Sequence, residues 1–475
     1  MNSSAIDLDD LRGEAIRLCD DPDDFFGNSY NNTQTIPRDQ LAALQEEAMK
    51  YRFETLVDEI PMLKRLADKQ GIEKIESIDD VVPLLFEHTM YKSYPPFLLE
   101  QNRFSDINKF LSKLTSIDLS GIDVSACKSI DEWLEVMDRD SDIYLGLSSG
   151  TSGVMSFIPS SKREWDKRWK QMKSVVNEAS AGSDEELYCI FPYFRRGPSH
   201  MRGNDWTVKH IVGDEEHFIA AYPETQSCDV MYFAARMRAA KARGKLDSLQ
   251  VPPQLLDRLK AFEEQQKNMQ SHLTEFFERV VNEYKGKRVY LSGAWSLLHN
   301  LAKKGLDNGV EGVFSPDSYV QSGGGAKGMT PPENWQENIC RFIGIDKLEM
   351  GYSMTEINTM NYMCEHGHYH LSPVAIPFVL DPDTSKPLPR TGRQTGRAAF
   401  YDLACETRWG GFITGDEITV NWSDYCPCGR QSHFIEGEIQ RYSEKRGGDD
   451  KITCAATESA HNEAMDYLTS LETDG

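Results

Sequence analysis

Along the chain, apolar residues change their period twice. From Gln40 to Met49 they recur at three- and four-residue spacing, and Ile36-Pro37 sets a stop just before, so the pattern predicts a helix. The whole stretch to about Leu114 reads as mostly helical. From Ile143 onward the pattern becomes short apolar runs between helical segments: Leu187-Tyr188-Cys189-Ile190-Phe191, then Val289-Tyr290-Leu291, then Leu348-Glu349-Met350. That alternation predicts a layered α/β body. Beyond about residue 390 the runs shorten and become β-like, with Gly and Asp punctuating Phe412 to Asp416 and Ile418 to Val420. Ser459 to Leu468 reads as a final helix before a polar tail. No internal repeat or low-complexity block interrupts the sequence.

At 475 residues the chain is long enough for one large core and a smaller lobe. Its formal net charge of −23 argues against a nucleic-acid partner held on a broad basic surface, and against docking on anionic lipid. The basic run Lys162-Arg163, Lys167-Arg168 and Lys170 falls at helical spacing, which suits a solvated helix face or a contact to a polyanion. No apolar run reaches the length of a membrane span, and Met1 to Asp7 lack the features of a signal peptide. The ten cysteines form no compact framework, so a reducing, cytoplasmic setting is expected.

Leu147-Ser148-Ser149-Gly150-Thr151-Ser152-Gly153 follows the apolar run Ile143 to Leu147. Glycines let successive N–H groups converge on an anion, and Ser and Thr add short donors, so the segment suits a triphosphate cradle. The Gly-Lys-[Ser/Thr] ending of a Walker A loop is missing, and read alone the segment is equally a flexible linker. Further along come Ser322-Gly323-Gly324-Gly325-Ala326-Lys327-Gly328, then Met350-Gly351-Tyr352-Ser353-Met354-Thr355-Glu356, then Ile413-Thr414-Gly415-Asp416. Bare backbone at Gly323 to Gly325 can lie under a planar base, and Tyr352 can stack on it. Thr355 suits a phosphate oxygen, Glu356 a divalent cation, and Asp416, placed at a turn, a ribose diol.

In this order and spacing, with Cys426-Pro-Cys428-Gly429-Arg430, these segments resemble the adenylate-forming superfamily of acyl-CoA synthetases, luciferases and peptide-synthetase adenylation domains. They look most like its phenylacetate-CoA ligase and bioluminescence acyl-protein synthetase branch, over roughly residues 35 to 455. The resemblance implies an α/β fold: the large N-terminal domain of an adenylate-forming enzyme, with layered sheets flanked by helices, a small β-rich subdomain, and a C-terminal lid that is absent or vestigial. The corresponding boundaries are a helical region at 1–120, an α/β core at 121–390, a β-rich subdomain at 391–440 and a short arm at 441–475.

The implied activity is ATP-dependent activation of a carboxylic acid as its acyl-adenylate, then transfer to a thiol of CoA, a carrier protein or a protein cysteine. Alternatives are transfer to an amine, and a nucleotide-binding member that depends on a partner reductase or synthase. Ser148, Ser149, Gly150, Thr151, Ser152 and Gly153 would hold phosphates, Gly323, Gly324, Gly325 and Tyr352 the adenine, and Thr355 the α-phosphate. Glu356 would hold Mg²⁺ and Asp416 the ribose. Gly437-Glu438 departs from the Gly-Arg that many members carry near the hinge, leaving Arg441 or Arg446 to contact the nucleotide. His200, Trp295 and His299 fall where the acid would bind, and Cys454 is the nearest cysteine to the arm that receives the acyl group in the acyl-protein synthetases. Independently, thiolates and imidazole from Cys364, His370, Cys426 and Cys428 suit a closed, structural Zn²⁺ site, with His366 or His368 as replacements for His370.

Overall fold

A computed structural model describes residues 6–149, 154–179, 183, 185–242, 244, 253–324, 330–442 and 466–468. The chain divides into two compact units, one within Met1–Arg168, Tyr232–Gln250 and Met354–Gly475, the other within Trp169–Met231 and Val251–Ser353.

The first unit begins with helices Leu11–Asp20, Arg38–Leu56, Pro61–Gln70, Phe104–Ser112 and Ile130–Asp140. The Arg38–Leu56 helix contains the periodic segment that predicted it and buries Leu41, Leu44, Ala48, Met49, Phe53 and Leu56 along one stripe. A short strand, β1 (Phe86–Glu87), and a hairpin of β2 (Ile143–Ser149) with β3 (Met155–Ser161) follow. The hairpin rests on a buried aromatic stack. Trp133 lies flat on Phe104 at 5.3 Å and edge-on to Phe157 at 5.0 Å, and its indole N–H donates to Asn108 Oδ1. Trimming Trp133 to alanine would cost about 3–5 kcal/mol in lost burial and cavity.

The second unit is a five-stranded parallel sheet in the order β8-β7-β6-β4-β5. Its strands are β4 (Leu187–Arg196), β5 (Phe218–Thr225), β6 (Arg288–Ala294), β7 (Tyr319–Gly323) and β8 (Glu349–Tyr352). The first two apolar runs read from the sequence lie in β4 and β6, and Glu349 and Met350 of the third begin β8. Ile190, Val289, Leu291 and Val320 from the sheet pack with Phe277, Leu298, Ala302 and Phe342 from helices. A parallel sheet needs such cover, because a crossover helix returns the chain to the same edge direction.

The chain then returns to the first unit as β9 (Asn361–Met363), β10 (Tyr369–His370), β11 (Ala375–Leu380), β12 (Arg393–Asp402), β13 (Gly411–Asn421) and β14 (Phe434–Arg441). These pair antiparallel in the order β11-β12-β13-β14-β10-β9, while β1 runs parallel to the start of β13. The two β-like runs read beyond residue 390 are one strand, β13, with a register shift between Glu417 and Thr419. Of the helix expected over Ser459 to Leu468, only Asp466–Leu468 lie among the described residues. Leu468 is fully buried, and Lys113 Nζ donates to its carbonyl at 3.3 Å. Among the described residues no helix is long and apolar enough to cross a membrane.

One buried carboxylate ties the hairpin to the antiparallel sheet. Ser161 and Glu164 form a reciprocal capping box on the Lys162–Ala179 helix: Glu164 N–H donates to Ser161 Oγ at 3.0 Å, and Ser161 N–H to Glu164 Oε2 at 3.2 Å. The other oxygen of Glu164 accepts the backbone N–H groups of Glu406 (2.6 Å) and Thr407 (2.8 Å), between β12 and β13. Arg408, also buried, donates from Nε to Ser160 Oγ at 3.0 Å and lies 3.9 Å from Glu164. Replacing Glu164 by alanine would leave the N–H groups of Ser161, Glu406 and Thr407 without this acceptor and the buried Arg408 charge without its carboxylate neighbour. The expected loss is about 3–5 kcal/mol in urea unfolding. A loss under about 0.5 kcal/mol would remove this carboxylate as the tie.

Candidate active site and metal centre

In the second unit the candidate residues share one edge of the parallel sheet. Gly323 ends β7 and pairs with Gly351 of β8, one residue before Tyr352. Ala294 ends β6 opposite Gly323, and Trp295 follows it as the first residue of helix Trp295–Asp307. Ser199–Arg202, which includes His200, follows the end of β4. Gly323 and Tyr352 therefore lie at, and Trp295 and His200 beyond, the carboxyl ends of parallel strands, where open α/β sheets bind ligands. Gly323 has a second constraint, since a Cβ there would stand 2.7 Å from the Gly351 carbonyl oxygen. Trp295 is 7% exposed with its ring 5.7 Å from that of Trp335, so much of it is core. His299 is buried one turn further along the same helix.

In the first unit Ser148 lies in β2, whose partner β3 carries the Pro159-Ser160-Ser161 end of the glycine-rich segment. Gly146, two residues earlier, packs so closely on Thr355 that a Cβ would stand 2.9 Å from the Thr355 methyl. The turn after Thr355-Glu356 is held from two sides. Asp402 accepts the Asn358 N–H and the Ala404 N–H, and Arg168 Nη1 donates to the Ile357 carbonyl at 3.4 Å.

Glu356 has Arg408, Arg441 and Asp416 as electrostatic neighbours. Burial raises its carboxyl above the ordinary range, and the two guanidinium groups oppose that rise. Asp416 and Arg441 are directly opposed in the β13–β14 register, with Arg441 Nε 3.3 Å from Asp416 Oδ1. The Thr414 hydroxyl donates to the Ala398 carbonyl and accepts the Asp416 N–H, both at 2.9 Å. Asp416 thus projects from inside a strand rather than from the turn that its Thr-Gly-Asp context suggested. The bulge beside Glu417 lets a strand present a carboxylate this way. Two carboxylates of unequal exposure between a buried and an exposed guanidinium can hold a cation, a diol and phosphate oxygens at once.

Gly150, Thr151, Ser152, Gly153, Gly325, Arg446 and Cys454 lie outside the described residues, as do the side chains of Ser149 and His200. Sequence reasoning missed Gly146, Asp402 and Arg408, which act through contacts distant in the chain. The basic run is not a free helix face, because Lys167 Nζ donates to the Cys19 carbonyl (3.1 Å) and to Glu406 (2.8 Å). The Ser161-Lys-Arg-Glu164 spacing of the capping box was the available signal.

The second constellation assembles in the first unit. Cys364, His370, Cys426 and Cys428 each bring one donor atom, all within 4.8 Å of one another. Cys364 Sγ is 3.7 Å from Cys426 Sγ, and Cys428 Sγ is 3.2 Å from His370 Nε2. A disulfide is far shorter, whereas sulfurs bound to one tetrahedral zinc stand about 3.8 Å apart. Gly367 (φ 74°) and Gly429 (φ 86°) close the two turns that present the thiols. Of the alternative imidazoles, His368 lies 3.2 Å from Cys426 Sγ with its ring stacked on Phe434, so His370 completes the four-donor group with His368 beside it.

The Gly146–Thr355 contact has a direct test. Gly146→Ala is expected to cost about 1–2 kcal/mol in urea unfolding. Thr355→Ser, which removes the opposing methyl, should recover most of that cost in the double variant. Strictly additive losses would mean that the two residues do not touch.

No protein-family model matches the sequence, nor does any curated protein sequence. Among solved structures, an open conformation of 2-hydroxyisobutyryl-CoA ligase in complex with 2-HIB-AMP and CoA is similar at 13% identity and a TM-score of 0.50, over 94% of each chain. The same ligase in its thioesterification state is similar at 14% identity and a TM-score of 0.48, over 86% of this chain and 70% of that one. ATP-bound MatB from Rhodopseudomonas palustris is similar at 14% identity and a TM-score of 0.34, over 62% and 47%. The first of these likenesses shows that the chain has the α/β fold of an adenylate-forming acyl-CoA ligase.

Proposed function

We propose that this chain is an AMP-forming ligase that activates a carboxylic acid with ATP and passes the acyl group to a thiol. The observation that carries the reading is the grouping of Glu356, Asp416 and Arg441, three residues distant in sequence that become electrostatic neighbours on one fold. Shared fold with a ligase whose structure holds an acyl-AMP and CoA makes CoA the first thiol to consider.

In the first step a carboxylate oxygen of the acid attacks the α-phosphorus of ATP. The bond from that phosphorus to the bridging oxygen breaks, and pyrophosphate leaves with the electron pair. Charge grows on the equatorial oxygens, where the Thr355 hydroxyl and Arg441 offer donors. Glu356 would hold Mg²⁺, whose charge offsets that of the phosphates. A lone carboxylate shared with phosphate oxygens is the donor set magnesium ordinarily takes, and Glu356 fits it. Ser148 and Ser149, with Gly150, Thr151, Ser152 and Gly153, would cradle the departing pyrophosphate. Gly323, Gly324, Gly325 and Tyr352 would bracket the adenine, and Asp416 would accept the ribose hydroxyls. In the second step the thiolate attacks the acyl carbon, and AMP leaves with the electrons of the anhydride bond. His200 and Trp295 would border the acid, and Cys454 is the acceptor to test if CoA is not used.

We also propose that Cys364, His370, Cys426 and Cys428 hold a structural Zn²⁺. The 3.7 Å sulfur separation and the Cys₃His donor set support it, and four protein donors leave no position for water.

The reading expects acid-dependent pyrophosphate release in a screen over fatty, aryl and amino acids with CoA present. Thr355→Ala and Glu356→Gln should each lower that release by about 100-fold or more while the fold persists. Wild-type protein releasing none with any acid would overturn it. For the metal, protein purified without a histidine tag should contain one zinc per chain, and Cys426→Ser should lose it. Well under one zinc in the wild type would end that proposal.

A further inference from the structure

The four metal donors do not stand alone, because a directed chain of hydrogen bonds runs from one of them into the N-terminal helical layer. His370 is 1% exposed, and its Nδ1 lies 2.9 Å from Ser432 Oγ. The Ser432 hydroxyl donates in turn to Gln34 Oε1 at 2.7 Å. The Gln34 amide nitrogen donates to Thr33 Oγ1 at 3.0 Å, and the Thr33 hydroxyl to the Tyr30 carbonyl at 2.6 Å. A carbonyl only accepts, so the Tyr30 oxygen fixes the direction of every link before it. Ser432 spends its proton on Gln34 and can only accept from His370. His370 therefore carries its proton on Nδ1, which leaves the Nε2 lone pair facing Cys428 Sγ at 3.2 Å. That is the tautomer a metal at this cluster requires.

The same segment grips the loop that carries Cys426 and Cys428. The Gln34 carbonyl accepts the Gln431 N–H at 2.8 Å. Arg38 donates to the carbonyls of Gln431 (2.8 Å), Trp422 (3.1 Å) and Asp424 (2.7 Å). The Tyr30 ring meets that of Tyr362 in β9 edge-on at 5.2 Å. Gln34 and Ser432 are themselves buried, at 4% and 3% exposure. A buried amide and hydroxyl aimed at a metal ligand cost free energy unless each is bonded in this one arrangement.

We propose that Gln34, acting through Ser432, is the positioning residue for the His370 metal ligand, and that metal binding and the seating of the Tyr30 to Arg38 segment on the Trp422 to Ser432 loop are one coupled equilibrium. This rests on the zinc reading above. Anything that favours the seated segment raises metal affinity, and bound metal holds the segment down by the same factor. The cluster would then fasten the N-terminal helical layer to the antiparallel strands as well as closing its own loops.

The test uses the full chain without a histidine tag, with Zn²⁺ affinity read by competition against a chromophoric chelator and Co²⁺ as an optical probe of ligand geometry. Ser432→Ala and Gln34→Ala are expected to weaken zinc about 10- to 100-fold. Ser432→Thr, which keeps the hydroxyl, should bind like wild type. Removing zinc from the wild type should speed amide exchange over 30–38, and the rise in Tm on adding zinc should shrink in Gln34→Ala. Gln34→Ala should lower the Tm of the zinc-bound chain by more than it lowers that of the metal-free chain, whereas a purely structural role for Gln34 would lower both equally. Wild-type affinity and an unchanged Co²⁺ spectrum in both alanine variants would overturn the relay while leaving the zinc site standing. A wild-type chain that binds neither ion would overturn the zinc reading and the relay together.

Discussion

The first unit depends on a carboxylate buried where no water can reach it. Glu164 is tolerated there because donors surround it: one N–H from its own helix start, two from the β12–β13 turn, and the Arg408 guanidinium alongside. A charge so enclosed holds its partners as firmly as they hold it. The end of β3, the first turn of the following helix and the entry to β13 become one rigid piece. The phosphate-candidate hairpin and the strand carrying Thr414, Gly415 and Asp416 both leave from that piece.

The β13–β14 pair carries a candidate site at each end. Asn421 opposes Phe434 at the end closed by the loop that holds Cys426 and Cys428, and Asp416 opposes Arg441 at the other. Five residue steps along β13, about 17 Å, separate these ends. The two environments differ. Sulfur and imidazole donors sit in a dry pocket against Phe434, where a soft, closed site is stable. Near Arg441, Asp416 is buried while Glu356 is half-buried. Main-chain ladders between the ends make the strand pair stiff enough to keep both in register.

Close backbone approach sets much of the remaining geometry. Gly146 against Thr355, and Gly323 against Gly351, bring segments nearer than any side chain would allow. In the second unit this leaves bare backbone beyond the strand ends, suited to a flat ligand. In the first it fixes a threonine hydroxyl by trapping its methyl.

The sequence determined the element types where period and length were strong. The Arg38–Leu56 helix, the strands β4, β6 and β8, and the β-rich end of the chain follow from apolar spacing, because burial of one face dictates that spacing whatever lies opposite. It also marked Thr355, Glu356 and Asp416 as candidates through the order and spacing of their segments, and the Cys/His set through its ligand types. Only the tertiary structure decided which groups meet. It chose His370 over His366 for the cluster, gave Arg441 to Asp416 through strand register, and moved Asp416 from a turn into a strand. It turned Lys167 and Arg168 from a helix face into internal ties, and it revealed Gln34, Asp402 and Arg408 as supports. A hydrogen bond or ion pair between residues hundreds of positions apart leaves no period in the chain, because its geometry exists only once the backbone between them has folded.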